Sequence, residues 1–242
     1  MLKSVDIEKL LFIDIETAPE VYNYNDLSSV LQQLWQKKVK HFIAKQSAEE
    51  VYKNRAGIYA EFAQIICISF GFLVFNQATE AYEMRIKSIS NRDEKVLLQE
   101  FSEMIIKSFS SIHRFSFCGH NIKEFDIPFI CRRLIINQLV IPDVLDFSGL
   151  KPWEINHIDT LDLWKFGDRK NFSSLSLIAH KLNIPTPKDD IDGSDVARVF
   201  YEDDDLDRII KYCSKDVITV ARLLMRLKGI DLIKDENVIY VE

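Results

Sequence analysis

The stretch LLFIDIET at residues 10–17 predicts the centre of the fold. Residues 10–15 form a short, mostly apolar run, which is typical of a strand buried at the middle of a sheet. Asp14 and Glu16 are two residues apart, so in a strand their side chains point to the same face. Two carboxylates at a buried strand end are costly without a cation. The alternative is a strand that simply ends in solvent, and this pair alone does not decide between the two.

The remaining hydrophobic pattern predicts an α/β protein with the order β-β-β-α-β-α-β followed by helices. The further strands are expected at 64–75, 79–87, 115–118 and 155–164. Helices are expected at 91–109, 126–137, 173–182, 193–201 and 206–228. We expect a single domain over residues 1–242.

A polar-rich stretch at residues 24–60 is predicted to be a helical insertion after the first strand. Within it, Asp26 or Ser28 can cap a helix that runs through LQQLWQKKVKHFI at residues 31–43. Its lysines fit the solvated face of an amphipathic helix better than a path for nucleic acid.

Composition narrows the function classes. The formal net charge of −6 argues against a broadly basic nucleic-acid coat but allows a local basic groove. None of the four cysteines stands in a C-x-x-C pair, which argues against a zinc site or a redox dithiol. Neither G-x-G-x-x-G nor a P-loop occurs, which excludes a nucleotide-binding dehydrogenase or a P-loop kinase. Without a signal peptide or an apolar run of about 18 residues, a soluble, cytoplasmic protein with no membrane partner is expected.

A second acidic segment is GHNIKEFDIPFI at residues 119–130. Asp126 stands two residues before Pro128, as an ordinary helix N-cap would. However, His120 and Asn121 follow a glycine at the end of a predicted strand, and loops at strand ends commonly carry binding sites. Asp126 is therefore a candidate site residue as well as a candidate cap.

A third acidic segment, YCSKDV at residues 212–217, lies on the last predicted helix. Tyr212 and Asp216 share a face because they are four residues apart. That face borders the apolar stripe of the helix, where an acidic side chain can point into a cleft between the helix and the sheet. For this pair alone, a packed tyrosine and a solvated aspartate are the favoured interpretation.

Together and in this order, the three segments resemble the DEDD (DnaQ-like) superfamily of 3′–5′ exonucleases in its tyrosine-bearing DEDDy branch. The chain is most similar to the proofreading exonuclease domain of family B DNA polymerases, from about residue 10 to residue 226. The resemblance implies a ribonuclease H-like fold with a mixed five-stranded sheet flanked by helices. No polymerase region follows, so a stand-alone protein is expected. The insertion at 24–60 is longer than the family spacing suggests.

The resemblance also implies a metal site. Asp14, Glu16, Asp126 and Asp216 would bind two divalent cations, Mg²⁺ or Mn²⁺. Tyr212 would orient the attacking water, since its ordinary pKa of about 10 makes it a poor base at neutral pH. The expected activity is hydrolysis from the 3′ end of single-stranded nucleic acid, with DNA favoured, releasing nucleoside 5′-monophosphates.

Substrate contacts are expected from Thr17, Asn121 and Phe125, although core packing fits Phe125 equally well. Arg132 or Arg133 is expected to reach phosphate. Replication or repair proteins are the expected partners. The alternatives are a nucleic-acid-binding module without catalysis, an exonuclease directed at RNA, and an endonuclease of the wider ribonuclease H-like group.

Overall fold

The computed structural model describes residues 2–108, 116–168, 170, 172–186 and 191–241, without the side chain of Lys3. Its described strands form one mixed sheet, and the α/β class predicted from sequence is confirmed. The strands are β1 (Leu10–Pro19), β2 (Ala63–Asn76), β3 (Ala81–Ser90), β4 (Ser116–Gly119), β5 (Ile158–Asp159) and β6 (Val238–Tyr240). The order across the sheet is β5-β4-β1-β2-β3-β6. This sheet has six strands where five were expected.

Strand β1 occupies a central position because it pairs on both sides. It runs antiparallel to β2 and parallel to β4, and β2 runs antiparallel to β3. The short outer strands β5 and β6 are parallel to their neighbours. The pairing of β1 with β2 shifts register between Glu16 and Thr17, so a bulge follows the predicted acid pair at once.

The helices cover both faces of the sheet. They are α1 (Ser29–Lys38), α2 (Ala48–Arg55), α3 (Glu94–Ser108), α4 (Asp126–Ile136), α5 (Thr160–Lys165), α6 (Leu175–Lys181), α7 (Val196–Arg198) and α8 (Leu206–Lys228). Alternation along β1 sorts its side chains. Leu11, Ile13 and Ile15 pack in the cluster that includes α3 and α4, whereas Leu10 and Phe12 pack with α8.

Residues 24–60 contain α1 and α2 and form an apolar cluster around the fully buried Trp35. The hydroxyl oxygen of Ser28 accepts a hydrogen bond from Leu31 N, so Ser28 rather than Asp26 caps α1. The predicted extension of this helix to residue 43 is wrong. The last bond of α1 is from Val39 N to Trp35 O, and the burial of Val39 beside Trp35 ends the helix against the cluster.

Three predicted elements change. The strand expected at 155–164 is only β5, because the Asp159 carboxylate accepts from Leu161 N and begins α5 at Thr160. The helix expected at 193–201 is the three-residue α7 followed by a π-helical turn, Val199–Asp203. Strand β6 was not predicted.

Two other predictions extend beyond the described residues. Position 115 of the predicted strand 115–118 and position 109 of the predicted helix 91–109 both lie outside them. Among the described residues, no helix is both long enough and apolar enough to span a lipid bilayer.

Candidate active site

Strand β1 presents Asp14 and Glu16 on the face that it turns toward α8. The even-numbered Leu10 and Phe12 pack there, so the next two even positions share that side. Glu16 is 8% exposed and Asp14 is partly buried. Bulges commonly occur beside active sites, where they change the direction of side chains, and this one follows Glu16 directly.

Helix α8 brings its own polar groups to the two acids. The Cys213 thiol lies 3.5 Å from both the carbonyl oxygen and Oδ2 of Asp14, and it can donate to either. The hydroxyl of Tyr212, one helical turn before Asp216, donates to the Asp216 carboxylate. Asp216 is close enough to raise the pKa of Glu16, second only to burial. Tyr212 is packed, as that interpretation expected, whereas its solvated Asp216 is wrong because the carboxylate is partly buried and bonded to Tyr212.

Asp126 reaches the same place from α4. It is the first residue of the helix, Phe125 occupies the N-cap position, and the simple N-cap interpretation is wrong. The Asp126 carboxylate accepts hydrogen bonds from its own N–H and from the Ile15 N–H. Strand β4 pairs with β1 only as far as Phe12, so β1 is open on that side when it reaches Ile15. Asp126 occupies this opening between the two strands and is 3% exposed.

The four carboxylates perturb one another. Burial, followed by the charges of Asp126, Glu16 and Asp216, raises the pKa of Asp14 well above its usual range. Burial raises the pKa of Asp126 to about 7, although its two backbone hydrogen bonds act in the opposite direction. Ionising all of these carboxylates together is therefore unfavourable unless cations compensate their charges. Carboxylate oxygens are the ligands that Mg²⁺ and Mn²⁺ prefer, so these side chains fit a divalent metal site.

The geometry adds one unexpected group to this cluster. Ligand atoms of Asp14, Glu16 and Cys213 lie within 4.8 Å of one another. Burial raises the pKa of the Cys213 thiol well above its usual value, and the Cys67 thiol and the Asp14 charge add to the shift. The protonated thiol is a hydrogen-bond donor beside Asp14. This role of Cys213 was not predicted, because its position fits the apolar stripe of α8.

The predicted substrate contacts have mixed surroundings. Thr17 Oγ1 donates to Gly57 O at 2.7 Å, which ties β1 to the end of the 24–60 stretch. Asn121 has a left-handed backbone, with φ of 66°, in the loop after β4. Phe125 is partly buried and packs on Phe129 with ring centroids 5.3 Å apart, as the core interpretation expected.

Arg133 does not point to a phosphate path. It is 3% exposed and donates from Nε to both oxygens of Glu94, from Nη1 to Ala60 O and from Nη2 to Glu20. Of the two arginines named for a phosphate contact, Arg133 is therefore excluded, and the prediction stays with Arg132. The Arg133 guanidinium instead joins α4 to α3 and to the end of the 24–60 stretch.

Asp159 was missed by the sequence analysis. Its carboxylate accepts from Asn121 N at 2.9 Å and from Lys123 N at 3.2 Å, and its charge contributes to the raised pKa of Asp126. These two hydrogen bonds hold the backbone of the loop between β4 and α4 against the end of β5. The available signal was the aspartate directly before Thr160, which is typical of a helix N-cap but lies within the stretch predicted to be a strand.

Comparison with known proteins agrees with this arrangement. No curated protein matches the chain. A family model described as a predicted 3′–5′ exonuclease related to the exonuclease domain of PolB matches residues 58–233, which is more than half of the chain. The match includes Asp126, Tyr212 and Asp216, whereas Asp14 and Glu16 precede it. The chain thus belongs to this family of predicted exonucleases related to the PolB exonuclease domain.

Proposed function

We propose that the protein is a metal-dependent 3′–5′ exonuclease that hydrolyses single-stranded nucleic acid, with DNA favoured, and releases nucleoside 5′-monophosphates. The observation that carries the proposal is the meeting of Asp14, Glu16, Asp126 and Asp216 beside Tyr212. These groups come from three separate parts of the chain and affect one another's pKa. Family membership supports the direction of cleavage.

The four carboxylates would hold two divalent cations, Mg²⁺ or Mn²⁺. Their mutual repulsion and burial fit such a role, because bound cations would compensate charges that the protein itself leaves close together. When bound, cations of this kind supply charge that activates water and stabilises the leaving oxygen in phosphodiester hydrolysis.

Tyr212 is suited to positioning water rather than to taking its proton. Burial and the charges of Asp216, Glu16 and Asp14 raise the pKa of Tyr212 strongly, so its hydroxyl stays protonated at neutral pH. A protonated hydroxyl beside Asp216 can donate to the carboxylate and accept from a water molecule. The water adds its oxygen to the terminal phosphorus, and the bond between phosphorus and the 3′ oxygen breaks. The 3′ oxygen receives a proton, and the released nucleotide keeps the 5′ phosphate.

The non-catalytic alternative is less well supported. A module that only binds nucleic acid gains nothing from burying four carboxylates against a phosphate-rich ligand, since each one repels it. An exonuclease directed at RNA would use the same acids, so the proposal must be tested on both kinds of strand.

The decisive experiment uses single strands of DNA and RNA, with and without a blocked 3′ end, in Mg²⁺, Mn²⁺ or chelator. We expect mononucleotides from the unblocked strands only, and only with metal. Asp14→Asn should abolish this activity, whereas the matched exposed variant Glu103→Gln on α3 should retain it. Cleavage of a 3′-blocked or circular strand would contradict the exonuclease assignment, and full activity of Asp14→Asn would contradict the site.

A further inference from the structure

Two phenylalanine rings are unusually exposed near the candidate site. Phe166 is 79% exposed and Phe172 is 70% exposed, more than any other phenylalanine among the described residues. Most large apolar side chains of this protein are buried in its core clusters. Large contiguous apolar patches often mark binding surfaces, whereas single exposed side chains are ordinary, so the surroundings of these two rings decide whether they form a site.

His120, in the loop that carries Asn121, contacts two residues on either side of the two phenylalanines, Thr160 and Ser173. Its Nε2 donates to the carbonyl oxygen of Ser173 at 3.0 Å, directly after Phe172. Its Nδ1 lies 2.9 Å from Oγ1 of Thr160, the first residue of α5. Helix α5 is six residues long and Phe166 ends it, so the backbone of Phe166 lies about 9 Å along the helix axis from Thr160. Each phenylalanine therefore belongs to a segment that His120 ties to the loop between β4 and α4.

The backbone of Phe166 is also held in a costly conformation. It has φ of 45° and ψ of 34°, the left-handed region in which a helix usually ends on glycine. A bulky residue there is strained, and such strain occurs preferentially at functional positions. A glycine such as the following residue, Gly167, could adopt this left-handed conformation without strain. The exposed ring thus has a conformational cost and gains no core packing in return.

Two lysines accompany the rings. Lys123, in the loop between β4 and α4, lies 3.4 Å from Asp162, and Lys165, at the end of α5, lies 3.9 Å from the same carboxylate. The two ammonium groups share this one carboxylate, and the lysine side chains are 25% and 17% exposed. The acidic total of the chain does not prevent two such lysines from contacting phosphate locally.

We propose that Phe166, Phe172, Lys123 and Lys165 form a stacking platform for the single strand that leads into the active site. Bases upstream of the 3′ end stack on the two rings, and the lysines face the phosphates. Stacking on aromatic rings beside a basic groove accepts any base, which suits an enzyme that removes nucleotides in succession. The inference rests on the proposed function and names the surface that holds its substrate.

The 24–60 stretch is a poorer platform despite its lysines. Trp35 and Tyr52 are buried in its apolar cluster. Phe42 is 38% exposed, and the guanidinium of Arg55 covers its ring at 4.2 Å. The rings named here are therefore not open to a base.

The test compares binding of a 12-nucleotide and a 3-nucleotide single strand, both as DNA and as RNA, by fluorescence anisotropy in chelator. In the double variant Phe166→Ala/Phe172→Ala, we expect the Kd for the 12-mer to rise at least about tenfold, because each of the two stacked bases contributes about fivefold or more. The Kd for the 3-mer should change less than about twofold. The double variant Phe166→Leu/Phe172→Leu should lose affinity too, since leucine cannot stack. Tyr240→Ala is the matched control, because Tyr240 is 64% exposed at the opposite edge of the sheet.

The outcomes separate this proposal from the catalytic one. If the wild type binds the 12-mer but does not hydrolyse it in the presence of metal, the exonuclease function is refuted. The platform is then decided by the Kd values of the variants alone. Hydrolysis by wild type, with unchanged 12-mer affinity in the alanine variant, would overturn the platform alone. Retention of affinity by the leucine variant, or an equal loss in Tyr240→Ala, would also overturn it. Failure of the wild type to bind the 12-mer would refute it as well.

Discussion

Replacing Asp126 by Asn should stabilise the metal-free protein at pH 8 and remove most of the stabilisation that Mn²⁺ provides. Asp126 is 3% exposed and lies among Asp14, Asp159 and Asp216. Asparagine keeps the shape and can still accept a backbone hydrogen bond, but it carries no charge. The same change therefore removes both a repulsive charge and a proposed metal ligand.

The magnitude follows from the pKa of Asp126. Burial raises it from 3.8 to about 7. A shift of this size makes ionisation cost up to about 4 kcal/mol of folding stability in the metal-free protein. Since the folded-state pKa is the higher one, the contribution of Asp126 to metal-free stability is most favourable below about pH 4, falls as the pH rises to about 7, and then levels off. Allowing for one weakened backbone hydrogen bond, we expect a gain of about 2 kcal/mol at pH 8 in Asp126→Asn.

Urea unfolding followed by tryptophan fluorescence would measure this at pH 4.5 and pH 8, in chelator and in Mn²⁺. In chelator, the variant should be more stable than wild type at pH 8 and nearly equal to it at pH 4.5. In Mn²⁺ at pH 8 the order should reverse, because wild type alone keeps all four carboxylates. Glu103→Gln should follow wild type throughout. If Asp126→Asn is no more stable than wild type in chelator, or gains as much from Mn²⁺, the reasoning is refuted.

Two further substitutions test single contacts. Tyr212→Phe should lower kcat about 10- to 100-fold with little change in KM, because the attacking water is misplaced while Asp216 is retained. Steady-state kinetics would measure this change. An unchanged kcat would contradict the positioning role. Arg133→Met should destabilise the protein by about 3–5 kcal/mol, because the buried Glu94 carboxylate then lacks its cationic partner and keeps only Ile65 N and Asn137 Nδ2 as donors. Arg133→Leu combined with Glu94→Leu should recover much of that loss in urea unfolding, and failure to recover would show that the pair is not the cause.

The parts of the site that follow local periodicity could be predicted from the sequence. The two-residue spacing of Asp14 and Glu16 and the four-residue spacing of Tyr212 and Asp216 each place two groups on one face. Asp126 is different, because an N-cap and a site acid share the same local sequence. Its location came from the resemblance of the segment order, and its contact with Ile15 N–H depends on the separation of β1 from β4.

The unpredicted features depend on partners far away in sequence. Arg133 and Glu94 are 39 residues apart, and no local pattern indicates that they meet. Strand β6 is three residues long and follows from its pairing with β3 rather than from a marked apolar run. Phe166 resembles an ordinary helix residue in sequence, and only its left-handed backbone and its exposure make it notable.

The position of Asp126 and the closure of the 24–60 stretch depend on the same side chain. Arg133 lies seven residues, or about two helical turns, after Asp126 on α4. It contacts Glu20, before the stretch, and Ala60, at its end, while Glu94 holds it from α3. This guanidinium holds the two ends of the stretch, at Glu20 and Ala60, in place. Substitutions in α1 therefore need not change the positions of the four carboxylates. Loss of Arg133, by contrast, would weaken the attachment of the stretch and of the helix of Asp126 together, although the bond from Thr17 to Gly57 would remain.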